Sequence, residues 1–348
     1  MTPVSKSPLA GSTCGPALFC QNAAMPQPFP RAPERACRAL LLGLVGLALA
    51  ACGQGESAKL HFSRPGALQS ADIDEASGLQ ASHDHPGLFW VHDDDGPPRV
   101  WAIDQSGADL GHFDVRGAVN RDWEDIALVP REGPDLLVIG DIGDNRGRRA
   151  SIQLIFVPEP APADGRIPDQ EVAPEHVVTL HYPDGPRDCE SLALDPLASR
   201  LLLLTKRDVP ARLYAIGLDQ ALGDREATLE FLGTAPGFSP PRASDQIKFG
   251  KRTPWISQPT GMDITADGEQ AAVISYRSLY LFPLRGAQDW QAGFSAQPLE
   301  VYGPPEVTEE AISYSADGQS IFVTGERVGA PVFRYDLLPT EPAAPEQQ

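Results

Sequence analysis

Cysteine is nearly missing from the body of this chain. Four of its five cysteines, Cys14, Cys20, Cys37 and Cys52, fall at or before position 52, so Cys189 has no partner for an internal disulfide. A solitary thiol of this kind reads as a small buried hydrophobe, since no His and Asp/Asn signature accompanies it. Histidine is sparse too, with seven in 348 residues, and none stands at zinc-site spacing. Positive charge is the next shortage: 28 Lys and Arg face 47 Asp and Glu, a net charge of −19. The first 51 residues carry four basic side chains and one acidic one, so the remainder stands at −22. Such a surface repels phosphate backbones and anionic lipid and attracts cations, which excludes nucleic acid as a partner. No segment sustains a helical period, which argues against an α/β fold. What the chain does have is 42% hydrophobic residues with 32 Gly and 35 Pro. That is the composition of a full core built from many short strands and tight turns.

The longest apolar run, Ala39 to Ala51, is thirteen residues, short of the roughly 20 that a spanning helix needs. Arg31, Arg35 and Arg38 precede it, as in a secretory signal. It ends in Leu49, Ala50, Ala51 and Cys52, which resembles the bacterial lipobox. The resemblance implies cleavage before Cys52, diacylglycerol on its sulfur and acylation of the new N-terminus, and two or more acyl chains anchor stably. Residues 1–51 are therefore read as a signal peptide, with 25–51 its functional part if Met25 is the true start. Residues 52–58 are a lipidated tether, 59–338 the folded domain and 339–348 a disordered tail. The expected address is the cell membrane or outer membrane, periplasmic or surface-exposed; Gly53 in place of Asp after the cysteine favours the outer membrane.

Beyond the tether the chain repeats itself. Five units each pair a short strand with a stronger apolar one: Glu75–Leu79 with Gly87–Asp93, Glu124–Leu128 with Leu136–Asp141, Glu190–Leu194 with Leu201–Lys206, Thr260–Ile264 with Ala271–Tyr276, and Glu310–Tyr314 with Ile321–Glu326. Their starts lie 49, 66, 70 and 50 residues apart, near a propeller period of about 40–50 once loops are allowed for. Outer strands follow in each unit, and the fifth lacks its last, which Lys59–Phe62 can supply by joining the termini. The reading is an all-β, five-bladed propeller closed by an N-terminal strand. A sixth blade stays open as an alternative, because residues 235–259 are long enough to contain two more strands. Residues 158–174, rich in Pro, Ala and acid, read as a solvated outer loop. The 235–259 stretch, with Lys248, Phe249, Arg252 and Trp255, reads either as a cover on one face or as a passive loop.

Alternating strands bring the start of each innermost strand and the end of its neighbour to one rim. The first slot carries Glu75, Glu124, Glu190 and Glu310, with Thr260 breaking the pattern in the fourth unit. The second carries Asp93, Asp94 and Asp95, Asp141 with Asp144 and Asn145, Lys206 with Arg207 and Asp208, Tyr276 with Arg277, and Glu326 with Arg327. Carboxylates converging on one axis need a cation, a basic partner or protons. Hard oxygens suit Ca²⁺, so Glu75, Glu124, Asp141, Asp144, Glu190 and Glu310 are the candidate metal ligands and calcium the candidate ion. Asp94, Lys206, Arg277, Glu326 and Arg327 are the candidate contacts for a ligand. A structural alternative has each Glu bonding a neighbouring blade's backbone N–H or an Arg, locking blades together. His92, beside Asp93, reads as a rim residue.

Asp122–Ala127 (DWEDIA) with Ile139–Asn145 (IGDIGDN) resembles a set of poorly characterised secreted bacterial propeller lipoproteins that carry the same phrases. Cys189–Pro196 and Lys206–Asp208 are similar to the SdiA-regulated periplasmic propellers and, more loosely, to the esterase-like phytase domain. The resemblance spans roughly Ala71 to Tyr335. It implies a periplasmic or surface propeller with calcium as the implied ion, and it supplies no catalytic residue. Two functional classes follow. One is a membrane-anchored, monomeric module whose acidic funnel binds a divalent cation and an unknown small-molecule or protein ligand. The other is a hydrolase of phosphate esters or glycosides, with Glu124, Glu190 and Glu310 as candidate acid, base or nucleophile.

Overall fold

The computed structural model describes residues 60–284, 289–303 and 309–338. Cys52, the signal segment and the tail from 339 lie outside the described residues, and no described helix is long and apolar enough to cross a membrane. The first strand, β1 (Leu60–Ala67), is set aside until the ring closes. Blade one is β2 (Ala76–Ala81), β3 (Leu88–Asp93), β4 (Arg99–Asp104) and β5 (Asp109–Val115). Blade two is β6 (Trp123–Val129), β7 (Leu136–Asp141) and β8 (Ile152–Pro158), followed, after β9 (Ile167–Val172), by β10 (His176–His181). Blade three is β11 (Cys189–Asp195), β12 (Arg200–Thr205), β13 (Ala211–Gly217) and, after helix α1 (Leu218–Gly223) and β14 (Glu226–Thr228), the outer strand β15 (Glu230–Ala235); β14 pairs parallel with β10 and so joins blade two. Helix α2 (Ala243–Phe249) and a 3-10 helix (Gly250–Trp255) precede blade four, which is β16 (Gly261–Ile264), β17 (Gln270–Ile274), β18 (Ser278–Pro283) and β19 (Leu299–Tyr302), with α3 (Trp290–Ser295) before its last strand. Blade five is β20 (Glu309–Tyr314), β21 (Ser320–Gly325) and β22 (Pro331–Leu337), and β1 pairs antiparallel with β22 from Leu60↔Leu337 to Ala67↔Pro331. The molecule is a five-bladed β-propeller, and its first strand closes the wheel.

The apolar runs explain why the blades stack. In β12, Leu201 and Leu203 enter the cluster between blades two and three, while Leu202 and Leu204 enter the one between blades three and four. A strand covered on both faces reads as an unbroken hydrophobic run, and the period of two hands alternate side chains to opposite neighbours. Five such clusters fill the five blade interfaces.

Two segments depart from the sequence reading. The expected solvated loop at 158–174 contains β9, which adds to blade one as a parallel fifth strand on β5. Buried Ile167 and half-buried Val172, at its two ends, carry it into the core. The approach depends on Gly111, whose φ is +106° and where a Cβ would meet the Ile167 carbonyl oxygen at 2.1 Å. The stretch 235–259 forms two short helices and not a strand pair, so there is no sixth blade.

Candidate functional site

The innermost strands β2, β6, β11 and β20 each skip one or two residues in pairing with their neighbours. The skipped residues are Ser77 in blade one, Glu124 in blade two, Glu190 with Ser191 in blade three and Glu310 in blade five. A β-bulge re-aims the extra side chain. Here Glu124, Glu190 and Glu310 line one cavity of about 240 Å³ on the axis. Blade four offers Thr260, whose hydroxyl donates to the Glu309 carbonyl at 3.1 Å.

Register corrects one expected ligand. Ala76 pairs with Asp93 as Trp123 pairs with Asp141, so the slot of Glu124 belongs to Ser77 in blade one. Glu75 stands two residues too early. It is exposed, bridges Glu326 through the backbone, and groups with Asp94 and Asp95 outside the ring of three.

From the second slot, Lys206, Asp94 and Glu326 do reach the cavity wall. The Lys206 ammonium is buried and pairs with Glu190, lies 3.5 Å from Glu310, and donates to the Tyr276 hydroxyl at 3.1 Å. Tyr276 in turn donates to Glu310. The rim is cationic and aromatic: Arg207 lies 5.3 Å from the Trp255 ring centre, and Arg252 lies 3.8 Å from Glu326 and 5.5 Å from the Tyr276 ring centre. The other expected contacts are elsewhere. Arg277 is buried against Asp245 and Glu300, at 2.9 and 3.2 Å. Arg327 lies in the β21–β22 turn, outside the cavity wall. Asp141 is matched by Arg149 at 2.7 Å, while Asp144 accepts the Arg149 N–H and its own N–H donates to Asp188 at 2.9 Å. These two acids brace the loop behind the cavity. His92 is not a rim residue: it is fully buried, edge-on to Trp123, and burial lowers it to about 4.

Asp188, Arg252 and Trp255 were not among the expected site residues, whereas Tyr276, placed in the second slot, does line the cavity. Asp188 immediately precedes the Cys189–Glu190 strand start, so its position next to a slot glutamate was the available signal. One oxygen each from Glu124, Asp188 and Glu190 lies within 4.8 Å of the others, and all three residues are buried.

The interlocking role set out as the alternative for the glutamates falls to the next layer down. Asp125 accepts N–H bonds from Leu192 of blade three at 2.8 Å and Met262 of blade four at 3.1 Å. Asp263 accepts from the Tyr314 N–H of blade five at 2.8 Å. Ser313 accepts the Ala81 N–H at 2.9 Å, and Ser77 donates to the Glu124 carbonyl at 2.8 Å. Adjacent blades are clasped by that layer, and the three glutamates sit above it.

No family model and no curated protein matches this chain. Among solved structures it is similar to a gluconolactonase from Xanthomonas campestris, at 14% identity over 80% of this chain and 90% of that one, with a TM-score of 0.41. It is also similar to a luciferin-regenerating enzyme, at 12% identity over 80% and 95%, and to the WD40 repeats of RRP9, at 11% over 80% and 100%, both with TM-scores of 0.41.

Burial sets the electrostatics of the cavity. It pushes Glu124 and Glu190 well above the carboxylate range; each is raised further by acidic neighbours, with Lys206 opposing. Burial together with Glu75 and Glu310 raises Asp94 to about 8, and burial with Glu310 raises Glu326 to about 7. Burial pulls Lys206 down, yet Glu190 and Glu310 carry it well above its usual value, so it stays charged. The donor set of the buried trio is all hard oxygen, which fits Ca²⁺ or Mg²⁺ and gives a thiophilic metal nothing to prefer.

Proposed function

We propose that this protein is a lipid-anchored, extracytoplasmic propeller whose axial cavity binds a divalent cation, calcium, and with it a small ligand. The observation that carries the reading is the charge balance of one cavity. Asp94, Glu124, Glu190, Glu310 and Glu326 line it, and among the described residues the cations on its wall are the buried Lys206 and, at the rim, Arg207 and Arg252. Charges drawn together out of water must be matched, by protons or by a cation. Glu124, Asp188 and Glu190 would hold the ion, and its remaining positions would be filled by ligand and water, since Ca²⁺ takes about 6–8 oxygens. A hydrolase needs carboxylates free to exchange protons with substrate, and Glu190 and Glu310 are both engaged by Lys206, which favours binding over hydrolysis. The first described strand begins at Leu60, paired with Leu337 at the end of β22 away from the cavity mouth.

Saturating calcium is expected to raise the melting temperature by about 2–4 °C through mass action. Glu190→Gln and Glu124→Gln should each abolish that shift. The effect should fade on acidification, because the ligands must be deprotonated to bind. Identical melting curves for the wild type in calcium and in chelator would remove the reading.

A further inference from the structure

The segment between β15 and β16 is seated by one side chain from another part of blade four. Arg277, in the β17–β18 turn, is 3% exposed and spreads its guanidinium across three pieces of chain. It donates to the carbonyls of Ser239 at 2.7 Å and Pro240 at 3.1 Å, and it pairs with Asp245 of α2 at 2.9 Å and Glu300 of β19 at 3.2 Å. Asp245 also accepts the Arg242 N–H at 2.6 Å, and Ser239 donates to Glu300 at 2.6 Å, so the fork is itself held at both ends. The remaining seat is thin. One small apolar cluster, Phe249, Ile256 and Tyr276, lies beneath it. Behind it, a second cavity of about 320 Å³, lined by Phe238, Pro240 and Pro254, removes support from that side. The 3-10 helix therefore stands between two cavities, with Pro254 on the apolar one and Arg252 and Trp255 on the acidic one.

We propose that residues 236–259 form a cap over the axial cavity, that Arg277 is its positioning residue, and that Arg252 serves as a built-in cation competing at the mouth with the bound ion. The last element rests on the cation reading above. Arg252 has the placement for that role: its guanidinium lies at the edge of the acidic wall, against Glu326 and the Tyr276 ring, on a side chain 46% exposed. A positive charge fixed on the wall of the same cavity lowers a divalent ion's affinity, at the screening of a half-exposed site. Removing the arginine, or releasing the cap that presents it, should raise affinity.

The experiment has two arms, both on the full chain. In the first, Arg277→Ala and Asp245→Ala are digested with trypsin, which cuts after Lys248, Lys251 and Arg252 inside the cap. Cleavage there should accelerate at least about tenfold through local opening while far-UV circular dichroism and the main melting transition are retained. Asp245→Ala cuts the same link from the cap side, so it decides the matter if Arg277→Ala fails to fold. Wild-type cleavage rates in the folded variants would overturn the positioning role. In the second arm, calcium chloride is titrated calorimetrically into the wild type, Arg252→Ala and Asp245→Ala. The dissociation constant should fall about fivefold in both variants. An unchanged or weaker affinity for Arg252→Ala would overturn the competing role. No binding by any of the three would sink the cation reading and the competing role together, with the trypsin arm still deciding the cap.

Discussion

Lys206→Met is expected to lose about 3–5 kcal/mol of stability at neutral pH, because removing one partner of a buried ion pair strands the other. Here two carboxylates are stranded, since the ammonium pairs with Glu190 and approaches Glu310 to 3.5 Å. The pH dependence of the variant carries the signature. Burial already pushes Glu190 well above its ordinary value, and losing Lys206, which opposes that rise, pushes it further. A carboxyl with a raised folded-state value binds more protons folded than unfolded across the interval between the two. Folding stability there drops as pH rises and recovers as pH falls toward the ordinary carboxylate range. Urea midpoints for wild type and variant should therefore converge on mild acidification, and Glu190→Gln placed in the Lys206→Met background should recover part of the loss at neutral pH. Equal midpoints at neutral pH, or a gap that widens with acid, would contradict the pairing.

The second large effect is expected one layer below. Asp125 is fully buried and ties three blades together, accepting from Ile126 within its own strand, Leu192 in blade three and Met262 in blade four. Asp125→Ala leaves two interblade amides without a partner, each costing about 1–3 kcal/mol, so a loss of about 2–5 kcal/mol is expected. Asp125→Asn keeps one acceptor oxygen and should lose less. Hydrogen exchange gives the local readout: the Leu192 and Met262 amides should lose protection in Asp125→Ala ahead of the rest of their strands. A variant with wild-type protection at both sites would show that the clasp does not carry the ring.

Much of this architecture was legible because the physics that makes it is local. A strand buried on both faces must be apolar at every position, so Leu201 to Leu204 and Leu136 to Ile139 announced themselves, and the regular return of such runs gave the blades. Glu124, Glu190 and Glu310 were legible as a repeated acid near the start of three inner strands. The bulge was not, because an unpaired residue is defined by its partner strand and leaves no mark on its own. Glu75 was placed two positions off for that reason, and Asp125 was passed over although it sits beside Glu124. Arg277 failed differently. Its place at a turn next to the second slot was foreseeable, but it is directed to Asp245 and Glu300, set by a segment whose helices have no apolar period to reveal them. Strand β9 is written in Pro, Asp, Gln and Glu, and its pairing depends on the missing side chain of Gly111 in another strand.

Carboxylates from two separate blades are expected to share a cation on the propeller axis. Long-wavelength anomalous diffraction from calcium-soaked crystals would locate that ion. The predicted result is a single strong peak on the axis, about 2.3–2.6 Å from oxygens of Glu124, Asp188 and Glu190. An axial cavity without a peak, its acids matched only by Lys206, Arg207 and protons, would contradict it.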